Sequence, residues 1–346
     1  MFSRYNKICD IMQNEYILVT GGAGFIGSHV CDKLLDKESS VICLDNFSTY
    51  YDPERKRRNI ARNLNNKISN KNNFILIEGD ICDRGLLEKI FRKYKISEIV
   101  HLAAQAGVRY SLENPYLYEK TNVEGTLNLL EEARKNNVKK FIFGSSSSVY
   151  GNSKKIPFNE EVIEDKPISI YAATKRAGEL LCYTYHKIYG LNITCLRFFT
   201  VYGERGRPDM APYIFVDSIF KGKEIKMFGD GTTKRDYTYV GDITDGIILA
   251  LNNPLNKLLP FEIINLGNGN PVMLMDFIRL VEKNLGKKAN IKKYPIPPGD
   301  VDMTYADITK ARTILGYNPK TSIEEGIKKF IDWYVKNGEN DDEENK

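Results

Sequence analysis

Short apolar runs alternate with longer amphipathic segments through the first two thirds of the chain. The apolar runs are rich in β-branched residues and hydrophobic throughout, as expected of strands covered on both faces. Segments 25–37, 84–95, 120–136 and 170–189 have the spacing of amphipathic helices. This alternation indicates parallel βαβ units, so the sequence predicts an α/β fold with a doubly wound parallel (Rossmann) sheet. The predicted strands are Tyr16–Thr20, Val41–Asp45, Phe74–Gly79, Ile99–Ala103, Phe141–Ser145 and Ile193–Phe199.

Beyond about residue 200, prolines divide the chain into short pieces, among them the Pro-Ile-Pro-Pro-Gly-Asp stretch at 295–300. This predicts a smaller mixed α/β domain, mainly for substrate binding. Ser322 and Glu325 have the spacing of a capping box and predict a last helix that carries Trp333. The expected division is an N-terminal extension at 1–14, a Rossmann domain at 15–200 to which strands near 237–242 and 261–266 can return, the second domain at 201–336, and an acidic tail at 337–346.

Composition narrows the class of protein. The chain has 346 residues, of which 42% are hydrophobic and 27% charged, and this balance excludes wholesale disorder. A net charge of +5 is too small for this length to indicate nucleic-acid binding. No run of 18 apolar residues is present, so we expect no membrane span. The N-terminal Met-Phe-Ser-Arg-Tyr-Asn-Lys stretch lacks the apolar core of a signal peptide, which favours the cytoplasm.

Cysteine and histidine positions give no sign of a disulfide or metal framework. The cysteines are far apart and are expected to be reduced and mostly buried. The three histidines lack metal-ligand spacing, so no metal is expected. The segment 52–72, rich in Arg, Lys and Asn, is interpreted as a solvated surface helix or loop. The cysteines are 9, 31, 43, 82, 182 and 195, and the histidines are His29, His101 and His186.

A glycine-rich turn follows the first predicted strand. Its sequence, Gly21-Gly22-Ala23-Gly24-Phe25-Ile26-Gly27, lies between a strand and a helix. In that context glycines permit a tight turn and close approach to a pyrophosphate, which the helix N-terminus then faces. Asp45 ends the next strand, where a carboxylate binds a ribose 2′-hydroxyl and repels a 2′-phosphate, so NAD is favoured over NADP. A structural glycine turn and a simple Asp45 cap are the alternative interpretations.

Tyr171 and Lys175 lie four residues apart in a predicted helix and therefore share one face. A tyrosine has a pKa of about 10, and lowering it to 7 takes about 4 kcal/mol of anion stabilisation. One ammonium about 4–5 Å away supplies roughly 3–4 kcal/mol at an effective dielectric constant near 20. The pair can therefore form a phenolate base, although Tyr-x-x-x-Lys is common and by itself has little specificity.

Four serines, Ser145 to Ser148, end a predicted strand just before Val149-Tyr150-Gly151. Ligands bind at the carboxyl ends of strands in doubly wound sheets, so a hydroxyl here can bridge a substrate oxygen and Tyr171. A polar strand-to-loop turn is the alternative interpretation.

In combination, these motifs resemble the extended short-chain dehydrogenase/reductase family, over about residues 15–335. Within it the chain is similar to the nucleotide-sugar epimerases, and the resemblance is strongest to the UDP-glucuronate 4-epimerases. The resemblance is carried further by Ala106-Gly107-Val108-Arg109, by Arg197-Phe198-Phe199-Thr200-Val201-Tyr202-Gly203 and by Arg207-Pro208-Asp209-Met210-Ala211.

The resemblance implies a role for individual residues. The catalytic residues implied are Ser146, Tyr171 and Lys175. The NAD contacts implied are Gly21, Gly24, Phe25, Ile26, Gly27, Asp45, Asn46, Asp80, Ile81, Leu102, Ala103, Ala104, Asn122, Tyr171 and Lys175. The UDP-sugar contacts implied are Arg109, Ser146, Thr200, Arg207, Arg235 and Asp300. Pro297 and Pro298 stand where many relatives carry an arginine, so diphosphate binding is expected to depend more on Arg235.

The expected reaction is inversion at C4 of UDP-glucuronate through a 4-keto intermediate. Related 4,6-dehydratases carry Asp-Glu, and decarboxylases a Glu, where this chain has Ser147 and Ser148, so the extra acid of those enzymes is missing. Arg109 and Arg207, with Thr200, are candidates to hold the uronate carboxylate, because a planar guanidinium binds it in a bidentate manner. For each arginine, a surface or inter-subunit salt bridge is the alternative.

The motifs are also compatible with two other functions. One is a 4-epimerase of UDP-glucose and UDP-galactose or of N-acetylated sugars. The other is a non-catalytic NAD-binding sensor on the same fold. The family likeness also suggests a homodimer formed through four helices, involving 84–95 with 120–136 or 120–136 with 170–189.

Overall fold

The computed structural model describes residues 14–64, 73–161, 164–253, 260–296 and 301–337. A π-helical turn, Lys120–Glu124, joins the helices Pro115–Glu119 and Gly125–Lys135. The strands are β1 (Glu15–Thr20), β2 (Ser40–Asp45), β3 (Phe74–Glu78), β4 (Lys95–His101), β5 (Lys140–Ser146), β6 (Ile193–Phe198), β7 (Thr200–Tyr202), β8 (Glu224–Phe228), β9 (Lys234–Arg235), β10 (Tyr237–Tyr239), β11 (Phe261–Leu266), β12 (Val272–Met273) and β13 (Asn290–Tyr294). The α-helices are α1 (Phe25–Asp36), α2 (Pro53–Leu64), α3 (Arg84–Lys93), α4 (Val108–Glu113), α5 (Pro115–Glu119), α6 (Gly125–Lys135), α7 (Ile170–Tyr189), α8 (Ala211–Phe220), α9 (Val240–Asn252), α10 (Leu274–Leu285), α11 (Thr309–Leu315) and α12 (Ile323–Asn337).

Seven strands form the central sheet in the order β11-β6-β5-β4-β1-β2-β3. The pairs β1–β2, β1–β4, β2–β3 and β4–β5 are parallel. The strand order reverses between β1 and β4, which opens a crevice at their carboxyl ends. The α/β, doubly wound, Rossmann-like fold predicted from the sequence is confirmed, and the crevice is the place where such folds bind ligands.

Burial explains why these strands are apolar throughout. Val41, Ile42, Cys43 and Leu44 in β2 are all fully buried, although alternate side chains point to opposite faces. Helices on both faces therefore cover the sheet, as its continuous apolar pattern requires.

Several predicted boundaries differ from the structure. β4 begins at Lys95, four residues before the predicted start at Ile99. Within the predicted helix 120–136, Leu127 is 37% exposed, whereas Leu129 and Leu130 are buried. The π-helical turn Lys120–Glu124 also interrupts this predicted helix, so that the regular α-helix begins only at Gly125.

The chain divides into two compact units. The first takes in the chain up to Val149 together with Ser169–Arg197 and Ile247–Ile264, and the second takes in Tyr150–Ile168, Phe198–Gly246 and the chain from Asn265 onward. This division is interleaved, with Tyr150–Ile168 in the second unit and Ile247–Ile264 in the first, whereas the sequence predicted a main boundary at residue 200 with only later strands returning.

The strand expected near 237–242 does not join the central sheet. β10 instead pairs with β7 in a separate two-stranded sheet. β11, within the expected 261–266 segment, lies at the end of the central sheet beside β6. The serine half of the predicted capping box is present, since the Glu325 N–H donates to Ser322 Oγ at 3.2 Å at the start of α12, while Glu325 Oε1 pairs with the Lys329 ammonium at 2.7 Å.

α7 is the longest helix among the described residues and positions most of the candidate catalytic groups. It starts at a cap in which Ser169 Oγ accepts the N–H of Ala172 at 3.1 Å, and it ends at Gly190, whose φ is +70°. Gly178 faces the ring of Phe143 so closely that a Cβ would lie 2.4 Å from a ring carbon. The missing side chain therefore lets α7 pack tightly on β5.

Candidate active site

The turn after β1 holds backbone closer together than side chains would permit. Gly21 has φ +67°, and a Cβ on Gly27 would lie 2.1 Å from the carbonyl oxygen of Gly21. α1 begins directly after Gly24, so the predicted contacts Gly24, Phe25 and Ile26 lie at its N-terminus. This geometry fits a dinucleotide pyrophosphate, which needs close backbone approach and helix N-terminal amides.

Asp45 lies buried at the carboxyl end of β2. Its Oδ1 accepts the Phe47 N–H at 2.9 Å and the Lys56 ammonium at 3.3 Å, and its Oδ2 accepts the Ala23 N–H at 3.2 Å. The carboxylate is thus tied to the glycine turn, in the position of a ribose-binding acid.

Lys56 departs from the interpretation of segment 52–72 as solvated, which is wrong for this residue. It is 8% exposed, because α2 buries Lys56, Ile60 and Asn63 at i, i+4 and i+7. Residues 65–72 of that segment lie outside the described residues.

Asn46 and Asp80 are brought together beyond Asp45. The Asn46 amide donates to Asp80 Oδ2 at 3.0 Å, and Asp80 Oδ1 accepts the Cys82 N–H at 2.8 Å. Burial acts to raise the pKa of Asp80, but these hydrogen bonds outweigh it and hold that pKa below its ordinary value. Ile81, the next predicted contact, is buried.

The predicted contacts Leu102, Ala103 and Ala104 follow β4 beside the glycine turn. The N–H groups of Leu102 and Ala103 donate to the carbonyl and hydroxyl oxygens of Thr20 at 3.1 and 3.3 Å. The turn after β1 and the end of β4 are therefore fastened together at the point where the strand order reverses.

Asn122 lies in the π-helical turn and is buried. Its side chain exchanges two hydrogen bonds with the backbone of Gln105, at 2.8 and 3.0 Å, and donates to Thr174 Oγ1 at 3.0 Å. Thr174 in turn donates to the carbonyl oxygen of Tyr171 at 2.9 Å. Asn122 thus links the loop after β4 to the first turns of α7.

Tyr171 and Lys175 occupy successive turns at the start of α7. The Lys175 ammonium is buried, donates to the carbonyl oxygen of Gly144 at 2.7 Å and lies 5.1 Å from the centre of the Phe143 ring. Burial lowers the pKa of Lys175 to about 8. An ammonium held this way can stabilise an anion on the same helix face, because little solvent screens it.

Ser146 is the last residue of β5, two residues beyond Gly144. Its hydroxyl donates to Ser148 Oγ at 3.1 Å and accepts the Ser148 N–H, also at 3.1 Å. Ser148 is therefore the hydrogen-bond partner of Ser146. Neither Ser147 nor Ser148 supplies a carboxylate. β5 and α7 together bring the three predicted catalytic residues to one end of the sheet.

A buried histidine network below this region escaped the sequence analysis. His101 lies between Thr20 Oγ1 at 2.8 Å and Thr126 Oγ1 at 2.9 Å, and Thr126 donates to the carbonyl oxygen of Asn122 at 2.6 Å. Burial, reinforced by the charge of Lys175, lowers the pKa of His101 to about 3, so the ring is neutral. No local pattern predicts this, because Thr20 and His101 are 81 residues apart.

Tyr118 is a second residue without a sequence signal. It is fully buried, and its hydroxyl donates one bifurcated hydrogen bond, to the carbonyl oxygens of Ala106 at 2.7 Å and Gly107 at 2.8 Å. Gly107 precedes α4, the helix that carries Arg109. Tyr118 therefore holds the loop that leads to a predicted carboxylate ligand.

A buried ion pair supports the other side of β5. Arg197 donates to both oxygens of Glu179 at 2.7 Å, and Ser145 Oγ donates to Glu179 Oε1 at 2.6 Å. Arg197 and Glu179 are almost fully buried, and Arg176 Nη1 also pairs with Glu179 Oε2 at 3.0 Å, so two guanidinium groups compensate this carboxylate. The pair fixes Ser145 immediately before the candidate catalytic Ser146.

The remaining substrate candidates belong mostly to the second unit. Thr200 is half-buried in β7, and its N–H donates to the carbonyl oxygen of Asp236 at 3.1 Å. The guanidinium of Arg207 pairs in a bidentate manner with Asp209. Arg235 Nη1 donates to the carbonyl oxygen of Lys234 at 3.0 Å. Asp300 lies outside the described residues, and Arg109, in the first unit, is exposed.

Comparisons with known proteins agree with this geometry. The family model for GDP-mannose 4,6-dehydratase matches residues 18–330. The UDP-glucuronate 4-epimerase of Thermodesulfobacterium geofontis is 45% identical over 323 residues, which cover 93% of this chain and 97% of that protein.

Within the described residues, no helix has both the length and the apolar character needed to cross a membrane.

Two solved structures are also similar. The UDP-glucuronic acid 4-epimerase from Bacillus cereus, in complex with UDP-glucuronic acid and NAD, gives a TM-score of 0.84 at 37% identity and covers 93% of this chain and 99% of that chain. The UDP-glucose 4-epimerase of Thermotoga maritima with UDP-glucose gives 0.83 at 36% identity, with the same two coverages of 93% and 99%. The chain therefore belongs to the family that the GDP-mannose 4,6-dehydratase model describes, within the extended short-chain dehydrogenases/reductases and their nucleotide-sugar epimerase group.

Proposed function

We propose that this protein is an NAD-dependent epimerase that interconverts UDP-glucuronate and UDP-galacturonate. The observation that carries the proposal is the buried ammonium of Lys175, one helical turn after Tyr171 and hydrogen-bonded to the strand that ends at Ser146. The similar Bacillus cereus enzyme, solved with UDP-glucuronic acid and NAD, supports the choice of substrate and cofactor.

The glycine turn, Asp45, and the Asn46–Asp80 pair are proposed to hold the dinucleotide. When bound, NAD would supply the acceptor for a hydride from C4′ of the sugar and the source of its return to the opposite face. The net redox change is zero, so the protein is expected to retain its dinucleotide between turnovers.

Tyr171 is proposed to take the proton from the O4′ hydroxyl as a phenolate. Lys175 stabilises that phenolate electrostatically, and the hydroxyl of Ser146, positioned by Ser148, donates to the same substrate oxygen. The 4-keto sugar then rotates within the site, so that its opposite face is presented for the return of the hydride. On return of the hydride, Tyr171 gives the proton back to O4′, so that C4′ is inverted.

A uronate requires one further safeguard. Its 4-keto form is a β-keto acid, which loses carbon dioxide when the C5–C6 bond aligns with the carbonyl group. Arg109 and Arg207, with Thr200, are proposed to hold the carboxylate out of that alignment. Arg207 already binds a carboxylate in a bidentate manner, that of Asp209, so its guanidinium has the geometry for this task. Arg235 and Asp300 are proposed to contact the UDP portion.

A UDP-glucose 4-epimerase is the second candidate function. It is favoured by the Thermotoga maritima structure, whose TM-score of 0.83 is nearly equal to that of the uronate epimerase. An enzyme of that kind would need the same base and the same cofactor. The two candidates differ only in how the substituent at C5 is held.

Purified protein incubated with UDP-glucuronate and no added NAD tests the proposal. UDP-galacturonate is the expected product, and a UDP-pentose would show decarboxylation instead. Inversion of UDP-glucose without turnover of UDP-glucuronate would favour the second candidate. Tyr171→Phe is expected to lower kcat at least about a thousandfold, since the phenolate is lost. The matched control is Tyr183→Phe, on the same helix but 46% exposed, which should keep wild-type activity.

A protein with unchanged turnover after Tyr171→Phe would point to different chemistry, and one that binds NAD without epimerising any UDP-sugar would be a sensor. No nucleic acid or membrane partner is proposed.

We also propose that the protein is a cytoplasmic homodimer. The exposed apolar side chains of α7, among them Leu180 at 51% and Ile188 at 64%, support a helical interface. The five described cysteines are all free thiols, as in a reducing compartment. Light scattering after size exclusion should give twice the chain mass, and Leu180→Glu should reduce it to one chain mass.

A further inference from the structure

The carboxylate of Asp45 has little accepting capacity left. A carboxylate has about four lone-pair positions on its two oxygens. Phe47 and Lys56 occupy both positions on Oδ1, at 2.9 and 3.3 Å, and Ala23 occupies one on Oδ2, at 3.2 Å. About one position therefore remains, so Asp45 alone cannot receive both hydroxyls of a ribose.

Lys56 is placed to act with it. Its side chain is 10% exposed, and the ammonium lies 5.4 Å from the centre of the Tyr51 ring. An ammonium has three donors, of which Asp45 takes one. Among the described residues, Asp45 is the one carboxylate within ion-pair distance of this ammonium.

The helix that carries Lys56 is anchored to the same turn. The Asn59 amide donates to the carbonyl oxygen of Ala23 at 3.0 Å, and the Asn63 amide donates to Asp32 Oδ1 at 2.8 Å. The helix is therefore fixed against the glycine turn and α1, and the Lys56 side chain lies buried on that side rather than reaching in from solvent. By contrast, Arg62 on the same helix is exposed.

We propose that Lys56 is a further cofactor-binding and specificity residue, which forms with Asp45 a charge-neutral pair that receives the adenosine ribose. The inference rests on the proposed function, because it takes the dinucleotide to be NAD. Lys56 donates to a ribose hydroxyl oxygen, and the remaining position on Asp45 accepts from a ribose hydroxyl. Asp45 alone then repels a 2′-phosphate, because the adjacent Lys56 ammonium attracts it.

This arrangement predicts an order of preference among variants. In Asp45→Asn the Lys56 ammonium loses its counter-charge and becomes a partner for a 2′-phosphate. In Lys56→Met the Asp45 charge is uncompensated and repels a 2′-phosphate more strongly. The ratio of bound NAD to bound NADP should therefore be highest in Lys56→Met, lower in the wild type and lowest in Asp45→Asn. The double variant should lie between the wild type and Asp45→Asn.

The test measures which dinucleotide the intact protein holds. Each variant is equilibrated with an equimolar mixture of NAD and NADP and freed of unbound nucleotide, and the bound fraction is identified by mass spectrometry. Asp45→Asn should shift the ratio at least tenfold toward NADP, and adding Lys56→Met should reverse at least half of that shift on a logarithmic scale. The shift should also shrink in high salt, because it is electrostatic.

Controls separate the possible failures. Arg62→Met removes an exposed charge from the same helix and should leave the ratio unchanged. If Lys56→Met leaves the ratio unchanged both in the wild-type background and in Asp45→Asn, Lys56 takes no part and the inference is wrong. If the wild type holds neither dinucleotide, the proposed function itself fails. Should Lys56→Met melt too early to purify, Lys56→Gln serves in its place, and Lys56→Arg, which keeps the charge, should retain the wild-type ratio.

Discussion

The ring of Tyr118 meets the ring of Tyr171 edge-on, with centroids 6.2 Å apart and planes at 83°. Such pairs contribute about 0.5–1.5 kcal/mol beyond their burial. Tyr118 thereby connects the candidate base to the loop at Ala106 and Gly107, to which its hydroxyl donates.

Two substitutions of Tyr118 should separate these contacts. Tyr118→Phe keeps the ring and loses the hydroxyl, so the loop before Arg109 loosens and KM for UDP-glucuronate rises several-fold with kcat little changed. Tyr118→Leu loses the ring as well, so kcat falls about tenfold. The acid side of the profile of kcat against pH also shifts, because the ring that packs on Tyr171 is gone. The measurement is steady-state kinetics across pH. Tyr16→Leu, which removes a ring from a pair in the sheet core, is the control and should lower stability only. Equal effects of both Tyr118 variants on kcat would contradict the separation.

Lys175 predicts an alkaline limb in the activity profile. Burial lowers its pKa to about 8, so the ammonium that supports the Tyr171 phenolate is lost as pH rises above that value. We expect kcat to decline above pH 8. Lys175→Arg, whose charge does not titrate, should lose this limb although its kcat is lower. If Lys175→Arg showed the same decline in kcat above pH 8 as the wild type, the group that titrates would not be Lys175.

The same lysine affects stability with a definite sign. An unfolded lysine titrates near its ordinary value, so between pH 8 and that value the unfolded chain binds more protons than the native one. The free energy of unfolding due to Lys175 therefore rises with pH in this window. Relative to Lys175→Met, the wild type should gain about 2–3 kcal/mol between pH 7 and pH 10. Urea unfolding of both proteins at the two pH values measures this difference, and parallel changes would refute it.

Because of His101, we expect the free energy of unfolding to fall at acid pH. Burial and the charge of Lys175 lower its pKa to about 3, so between that value and its ordinary 6.5 the unfolded chain binds more protons. Stability due to His101 is complete above pH 6.5 and is lost as pH falls, by about 2 kcal/mol at pH 5. His101→Gln should remove this part of the pH dependence in urea unfolding at pH 5 and 7. Thr126→Val, which breaks one bond to the ring and leaves the ring titratable, should retain it.

Asp236 predicts the largest stability loss in the second unit. Its fully buried carboxylate accepts the N–H groups of Asn268, Gly269 and Ala306 at 2.7, 3.0 and 3.0 Å. Burial raises the pKa of Asp236, and these hydrogen bonds oppose that effect. Asp236→Ala would leave the donors of the buried Ala306 and the half-buried Asn268 and Gly269 without this acceptor and should cost at least about 4 kcal/mol in chemical unfolding. Asp230 is an exposed aspartate of the same unit, and Asp230→Ala should lower the free energy of unfolding far less. Similar losses in the two variants would show that the buried hydrogen bonds of Asp236 do not stabilise this unit.

The sheet, its flanking helices and the main motifs could be predicted from the sequence because each depends on neighbours in the chain. Val41 to Leu44 are apolar because both faces of β2 are covered, and the Tyr171–Lys175 spacing needs only the helical repeat. The glycine turn is also local, since Gly21 and Gly27 meet across one turn of chain.

Other features depended on packing between distant segments. The His101–Thr20 contact spans 81 residues, and Lys56 is buried only because α2 turns that side toward Asp45. A basic segment reads as solvated when its partner is unknown, since a lysine is buried only when something pairs with it. Local periodicity thus determined the scaffold and the order of the motifs, whereas the tertiary structure decided which polar side chains lost their water and found partners. The physical reason is that desolvation depends on the surroundings in space, which the chain acquires only after folding.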